Sequence, residues 1–469
     1  MKSSNKLDKK WFEGKRVVVF GIGRLGGGVS SINFLTSVGA HVIATDIKSR
    51  EYLKESIKEI KNKKNVTLVL GQHRREDFIN TDMIIKTPGC PWNNEYIKLA
   101  IKNNIPVETD ASLFMRLCRN KVIGITGTKG KTTTSHMVTH FLKKSGYHTI
   151  QVGVGITPVL DRLNLLKKNT VVVFELSSWR LSAFKYSKIS PTIAVFTSFF
   201  PDHMNYYKNL DEYWIDKEQI FKYQKKGDLL VYNGDDEDLV NRLKETSKNK
   251  ASVSFNSDSS DCCIYIDDNI AYLKQEDNLK IADTSKLTLI GEHNKRNLFM
   301  AFCAVYKLGA SLSKLKKAVF DFKNIKYRLE FVKKNSGVEY YNDTAATNPQ
   351  ATMVALDSFM DKNIILLVGG SDKNLDSEEL AKKIVNGNNI KKVLFLKGKF
   401  TEKLINNLEK LGYVDDFEIF NSMEDIVLKS SKIASDGDIV LLSPAAASFA
   451  SFKNEFDRGD KFVEEVNKL

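Results

Sequence analysis

A single stretch constrains this chain more than any other: Lys121 to Thr134, reading Lys-Val-Ile-Gly-Ile-Thr-Gly-Thr-Lys-Gly-Lys-Thr-Thr-Thr. An apolar β-type run, Val122 to Ile125, feeds a glycine-rich turn. The turn opens a segment with Met137, Val138, Phe141 and Leu142 at helical spacing and Gly146 as its stop. Gly127 and Gly130 let backbone N–H groups converge on a polyphosphate, and the positive end of the helix dipole points to the same place. Lys131 adds a charge, Thr132 offers a hydroxyl to Mg²⁺, and Thr128, Lys129 and Thr133 complete the cradle. The spacing is the shorter Gly-x-x-Gly-Lys-Thr, because Ile125 stands where the longer generic form has its first glycine. Lys131-Thr132 directly after the turn favours a ligand over a bare strand-to-helix connection.

The 469 residues are enough for roughly three domains of usual size. With 42% hydrophobic and 27% charged residues, the chain has the composition of a soluble globular protein. No apolar run approaches the roughly 18 residues that span a bilayer. Near the N-terminus, Val17 to Ile22 is too short for a signal sequence and runs into Gly-x-Gly, so a cytoplasmic location without membrane attachment is expected. The five cysteines are odd in number and lack Cys-x-x-Cys spacing, which predicts reduced, structural thiols. The net charge of +14 favours anionic partners. Its lysines are scattered and never form a block, so the excess reads as a solvated surface that attracts phosphorylated substrates, not as a nucleic-acid site.

Residues 16 to 46 predict a βαβ start: Arg16 to Phe20, then Gly21-Ile-Gly23-Arg-Leu-Gly26, a helix to Val38, and a strand from His41 to Asp46. Three glycines with an acid 20 residues after Gly26 reproduce the dinucleotide fingerprint. Alone it suggests a nicotinamide cofactor, although the same geometry holds any diphosphate and Asp46 could meet any ribose or base. A further strand, Met83 to Ile85, ends in the loop Lys86-Thr-Pro-Gly89.

Beyond the phosphate loop, Thr170 to Phe174 is a buried-strand run ending on Glu175, and Thr192 to Thr197 is another leading to Pro201-Asp202-His203. Parallel sheets place chemistry at the carboxyl ends of their strands, so Glu175 and His203 are expected at the mouth that holds Lys131 and Thr132. A carboxylate and an imidazole beside a triphosphate suit Mg²⁺ ligation. Short strand-like pieces between Asp228 and Ile290 predict an antiparallel extension of the central sheet. The last third alternates strands and helices again, a second doubly wound α/β unit whose strand ends carry Asn342-Asp343, Gly369 to Lys373 and Ser443 to Ser448.

Taken in order, these pieces resemble the ATP-dependent Mur ligases of peptidoglycan synthesis. The match includes Thr87-Pro88-Gly89, Ile125 to Thr132, Glu175-Leu-Ser177-Ser178, Asp202-His203-Met204, Gly291-Glu-His-Asn294, Tyr327-Arg328, Asn342-Asp343 with Ala346-Thr347-Asn348, and Phe452-Lys-Asn454 with Arg458-Gly459. Within the family the resemblance is nearest to members that join D-glutamate to UDP-N-acetylmuramoyl-L-alanine through an acyl phosphate. It implies three α/β domains: a Rossmann-like domain over residues 1–119 for the UDP end, a central P-loop ATPase domain over 120–324, and a Rossmann-like domain over 325–469 that closes over the site with the amino acid. The first glycine cluster then serves a uridine diphosphate, not NAD.

The family pattern assigns roles residue by residue. Gly23, Arg24, Leu25, Asp46, Thr87, Pro88, Gly89 and Ser177 would hold the UDP substrate. Gly127 to Thr133 would hold ATP, with Asn294 and Arg328 facing the nucleotide and Asp343 its ribose. Thr132 and Glu175 would serve one Mg²⁺ and His203 a second. A lysine about 14 residues beyond His203 carries a CO₂-derived carbamate in the family, and Lys217 matches it. Lys373, Ser448 and Phe456 would grip D-glutamate, and a monomer is expected.

The chain also departs from the pattern. Ala345 replaces the lysine of Asn-Asp-Ser-Lys-Ala-Thr-Asn, Lys326-Tyr327-Arg328 replaces Pro-His-Arg, Val154 replaces an asparagine after the phosphate-loop helix, and Ser198-Phe-Phe replaces Asn-Val-x before Pro201. Three other readings compete: a sibling ligase adding a different residue, a nicotinamide-dependent dehydrogenase using Gly21 to Gly26, and a non-catalytic nucleotide-binding regulator. The dehydrogenase leaves Lys131, Glu175 and His203 without a role. The regulator is favoured only by Ala345 and opposed by the retained Lys217 and His203.

Overall fold

Continuous apolar runs with β-branched residues become buried parallel strands, and the amphipathic segments between them become crossover helices. A computed structural model describes residues 6–469 apart from positions 25, 156–157, 205, 247, 256, 288, 323–324, 373–374 and 449–451. Two compact units divide the chain: Met1–Leu287 with Arg296–Phe322, and Thr288–Lys295 with Lys323–Leu469.

The first unit holds two sheets. Strands β1 (Arg16–Phe20), β2 (His41–Asp46), β3 (Val66–Leu70), β4 (Met83–Lys86) and β5 (Val107–Glu108) are all parallel, in the order β3-β2-β1-β4-β5. The second sheet contains β6 (Lys121–Thr126), β7 (Thr149–Val152), β8 (Val171–Glu175), β9 (Ile193–Phe196), β10 (Leu229–Asn233), β11 (Lys250–Ser254), β12 (Cys262–Asp267), β13 (Ile270–Leu273) and β14 (Leu279–Asp283). Its order, β14-β13-β12-β11-β10-β9-β6-β8-β7, places β6 between β9 and β8. The phosphate loop therefore emerges between the carboxyl ends of β8 and β9.

The helix Asp110–Leu117 connects the two sheets. A Thr109/Ser112 capping box starts it, and it buries Leu113, Phe114 and Met115 in a core shared by both sheets. Phe114 meets Phe174 of β8 edge-on, with ring centroids 5.3 Å apart.

One expectation needs correction. Strands β10, β11 and β12 continue the sheet in parallel, and antiparallel pairing begins only at β12/β13 and β13/β14. The helix Glu237–Leu243 lies between β10 and β11, and such a crossover returns the chain in the same direction. Reversal comes at Asp268 and Asn269, which both have positive φ (41° and 59°), as a two-residue hairpin turn requires.

The second unit builds its own sheet from β15 (Glu330–Asn335), β16 (Val338–Asn342), β17 (Ile364–Gly369), β18 (Ile390–Leu396), β19 (Glu418–Phe420) and β20 (Ile439–Leu442), in the order β15-β16-β20-β17-β18-β19. All pairs are parallel except the β15/β16 hairpin. Asn348 caps the helix Pro349–Asp357 by accepting from the Ala351 N–H at 2.9 Å, with Pro349 in the first turn. No helix among the described residues is long and apolar enough to cross a membrane.

Candidate active site

In the first unit, β6 ends at Thr126, and Gly127 to Gly130 turn the chain into the helix Lys131–Lys144. Gly130 caps that helix in the left-handed region, with φ 86°. A second loop, following β9, braces this turn. Thr128 N–H donates to Ser198 O (2.7 Å), Lys129 N–H to Ser198 Oγ (2.9 Å), and Thr197 Oγ1 to Lys129 O (2.5 Å). Gly127 has φ 149°, and a Cβ there would lie 1.9 Å from Thr197 Oγ1 and 2.9 Å from the Ser198 nitrogen. Overpacking of this kind typically costs about 1–3 kcal/mol. Gly127→Ala is thus expected to lower stability by about that much and to weaken ATP binding, measurable by denaturant unfolding and by calorimetry with a non-hydrolysable ATP analogue. An unchanged affinity would show that the loop has room to shift.

Three polar groups read from the residues, Lys131, Thr132 and Glu175, converge on this turn with Lys217, which the family resemblance picks out. Lys131 Nζ donates to Gly127 O (2.9 Å) and Thr128 O (3.0 Å), and Lys217 Nζ reaches Gly127 O at 2.7 Å. Thr132 Oγ1 donates to Glu175 Oε1 at 3.2 Å, while Glu175 Oε2 is buried with no hydrogen-bond partner. A buried carboxylate oxygen left unpaired is costly, and a cation beside Thr132 would satisfy it. Among the described residues no three His, Cys, Asp or Glu side chains form a metal cage.

His203 sits on the same rim with backbone φ 58°, a left-handed conformation that is strained for a non-glycine residue. Its ring packs tilted on Trp179, 4.9 Å between centroids. Burial, helped by the charges of Lys131, Lys129 and Lys217 and opposed by Asp202, holds the imidazole below its ordinary pKa and favours the neutral, ligating form. Lys217 closes the helix Leu210–Lys217 and is 1% exposed. Burial first, then the Lys131 charge, hold its amine well below the ordinary lysine range, against the pull of Asp202. The Tyr213 ring lies 4.8 Å away.

The glycine loop after β1 forms as expected, but Asp46 turns inward. Its carboxylate accepts the N–H groups of Ile22 (2.9 Å), Gly23 (3.1 Å) and Lys48 (2.9 Å), so it braces the loop. Close approach of helix and strand falls on Gly28, where a Cβ would lie 2.3 Å from Ile22 O. Arg24 stacks over the half-exposed Tyr52 ring at 5.3 Å, and Leu25 lies outside the described residues. Thr87 donates both its N–H and its hydroxyl to Phe20 O (3.0 and 3.1 Å), and Pro88 and Gly89 follow it in an exposed loop. Ser177 caps the short helix Ser178–Leu181, accepting from Arg180 N–H. Nothing in the sequence assigns Thr197, Ser198 or Asn297 the role of bracing the phosphate loop. Asn297 lies against Gly130, within 3.0 Å of where a Cβ would stand, and helical spacing alone marks it only as another buried position.

In the second unit, Asn294 Nδ2 donates to Ile290 O at 2.8 Å. Arg328 is held between two positive-φ residues, Tyr327 and Leu329, and its charge acts on Asp343. Asp343 accepts from Leu329 N–H (3.2 Å) and Ser443 Oγ (2.9 Å), and burial pushes its carboxyl up to about 7 against the pull of those bonds and of Arg328. A folded pKa above the ordinary 3.8 means the native state holds the extra proton, so this contribution to stability is complete below about 4 and lost as pH rises through about 7. Asp343→Asn is expected to flatten the pH dependence of stability across that window, as read by denaturant midpoints. An unchanged slope would assign the effect elsewhere.

Ser448 Oγ is buried without a partner and borders a small cavity also lined by Gly369, Gly370 and Arg458. Arg458 is fully buried and donates to Thr344 Oγ1 (3.0 Å), Thr344 O (3.0 Å) and Ala446 O (3.1 Å), tying two strand-end loops together. Phe456 is 42% exposed and packs on Tyr327, 5.2 Å between centroids. Lys373 lies outside the described residues.

A glycine-rich phosphate cradle at the carboxyl edge of a parallel sheet, with a hydroxyl and a carboxylate beside it, defines a P-loop-type nucleotide-dependent enzyme. Comparison with known proteins narrows the class. The Mur ligase MurD-like N-terminal domain matches residues 15–109, the Mur ligase middle domain 125–305, and the Mur ligase glutamate ligase domain 327–446. The UDP-N-acetylmuramoylalanine–D-glutamate ligase of Borreliella afzelii is 36% identical over 464 residues, covering 96% of this chain and 97% of its own. The ligase of that name from Roseiflexus sp. is 33% identical over 459 residues, with the same coverage. Among solved structures, the UDP-N-acetylmuramate-alanine ligase MurC of Thermotoga maritima shares the fold, with a TM-score of 0.58 at 20% identity, covering 97% of this chain and 99% of that one. The chain belongs to the Mur ligase family, in its UDP-N-acetylmuramoylalanine–D-glutamate ligase branch.

Proposed function

We propose that this chain is the ATP-dependent ligase that adds D-glutamate to UDP-N-acetylmuramoyl-L-alanine in peptidoglycan precursor synthesis, releasing ADP and phosphate. The observation that carries the reading is the convergence of Lys131 and Lys217 on the Gly127 carbonyl, beside a Glu175 carboxylate with one oxygen to spare. In this reading the alanyl carboxylate of the acceptor attacks the γ-phosphate of ATP. Lys131 and the loop N–H groups take up the developing charge, giving an acyl phosphate and ADP. The amine of D-glutamate then adds to the acyl carbon, and phosphate leaves as the amide forms.

Two Mg²⁺ ions, when bound, would neutralise phosphate charge, one held by Thr132 and Glu175 and the other by His203 and Lys217. Lys217 takes that role as a carbamate, since burial and the Lys131 charge favour its unprotonated amine, the form that adds CO₂ and becomes an anion. Gly23, Arg24, Leu25, Asp46, Thr87, Pro88, Gly89 and Ser177 serve the UDP substrate, with Asp46 acting through the loop it braces. Gly127 to Thr133, Asn294, Arg328 and Asp343 serve ATP, and Lys373, Ser448 and Phe456 serve D-glutamate by positioning. The three domains span residues 1–119, 120–324 and 325–469, and the chain acts as a cytoplasmic monomer.

The test is phosphate release from ATP with UDP-N-acetylmuramoyl-L-alanine present, run in parallel with D-glutamate, L-glutamate and other amino acids. Turnover confined to D-glutamate is expected and would show that Ala345 is tolerated. Turnover with another amino acid would move the chain to a sibling specificity, and none with any amino acid would overturn the ligase reading.

A further inference from the structure

At the far end of the second sheet, Cys263 of β12 faces Cys303 of the helix Glu292–Lys307, with the two Sγ atoms 3.2 Å apart. Both residues are buried, at 6% and 0% exposure. Nothing in the ligase chemistry uses them. Beside them lies a cavity of about 290 Å³ whose lining includes Cys262, Cys263, Lys250, Lys274, Tyr306 and Lys307. Asp261 also lines it and pairs with Lys250 at 3.2 Å, leaving the wall net positive. Cys263 is thus the member of the pair that a small molecule can reach, and Cys303 stands behind it.

We propose that Cys263 and Cys303 form an oxidisable dithiol that takes small anionic disulfides through this basic cavity. The Cys263 thiolate attacks one sulfur of the incoming disulfide, and the first small thiolate leaves. The Cys303 thiol then gives up its proton and displaces the second from Cys263. Two protein thiols and one small disulfide become one protein disulfide and two small thiols, so atoms and electrons balance. The Cys303 hydrogen bond, chief among its causes, lowers the Cys263 pKa toward the reactive form. Closing the bond needs the sulfurs to approach to about 2.05 Å, a movement of about 1.2 Å. The product ties β12 to the helix that carries Asn297 against Gly130 of the phosphate loop.

The experiment titrates the full chain with oxidised glutathione at graded ratios to reduced glutathione, then quenches with N-ethylmaleimide and maps peptides by mass spectrometry. A Cys263–Cys303 cross-link with loss of two hydrogens is expected, reversed by dithiothreitol. Cys303→Ser is expected to stop at a glutathione adduct on Cys263, and Cys263→Ser to protect Cys303. Oxidised glutathione is also expected to react roughly tenfold faster than the cationic disulfide cystamine at low salt, with the ratio shrinking as salt rises. A pair that stays reduced while the partly exposed Cys90 is modified would overturn the proposal, as would adducts confined to Cys262. Equal rates for the two disulfides would overturn the cavity route.

Discussion

Lys131→Ala is expected to lower ATP-dependent ligation by roughly 10³-fold without unfolding the chain. Its ammonium lies at the start of the helix Lys131–Lys144, donating back to Gly127 O and Thr128 O of its own loop. A γ-phosphate bound in the cradle would replace those carbonyls with a better acceptor, and the charge would then count most as negative charge shifts in phosphoryl transfer. Steady-state phosphate release measures the loss, and Lys131→Arg separates charge from geometry. Arginine keeps the charge but cannot place it as a compact point donor, so partial activity is expected. A variant with full turnover would take Lys131 out of the transition state.

The second large effect falls on Lys217. An uncompensated buried ammonium is destabilising, and here burial and the Lys131 charge both disfavour the protonated form. Lys217→Met replaces it with an apolar side chain of similar length, so thermal stability is expected to hold or rise while ligation falls by at least about 100-fold. Lys217→Arg is expected to be equally inactive, because a guanidinium stays protonated and does not add CO₂. Carbon-13-labelled bicarbonate should give a carbamate carbonyl resonance in the native protein that Lys217→Met lacks. An active arginine variant, or a native protein without that resonance, would leave Lys217 as a structural lysine.

Much of the site is legible in the residues because it depends on local chemistry. The turn Gly127 to Gly130 and the strand ends at Glu175 and Asn342-Asp343 are read from spacing and residue type. These features follow from backbone sterics and hydrogen bonding over a few residues. The ligase reading rests on the ordered set of motifs, with no single one sufficient. Lys217 stands apart: nothing local separates it from the other lysines of a chain with 71 Lys and Arg.

Tertiary structure decided the rest. The glycine-loop pattern offers Asp46 to any ribose or base, and only packing shows that its carboxylate also accepts the Ile22 and Gly23 N–H groups and braces the loop. The strands β10 to β12 looked like an antiparallel extension because short polar-flanked runs are alike in both arrangements. A crossover helix keeps β10 and β11 parallel, and the chain first reverses after β12, at the positive-φ hairpin Asp268-Asn269. Sequence by itself determined the class of chemistry, since a phosphate cradle needs particular residues at particular spacings along one stretch of chain. Only the fold decided which lysine is buried beside the cradle, which carboxylate oxygen is left unpaired and which two cysteines meet, because each depends on desolvation and contact between residues far apart in the chain.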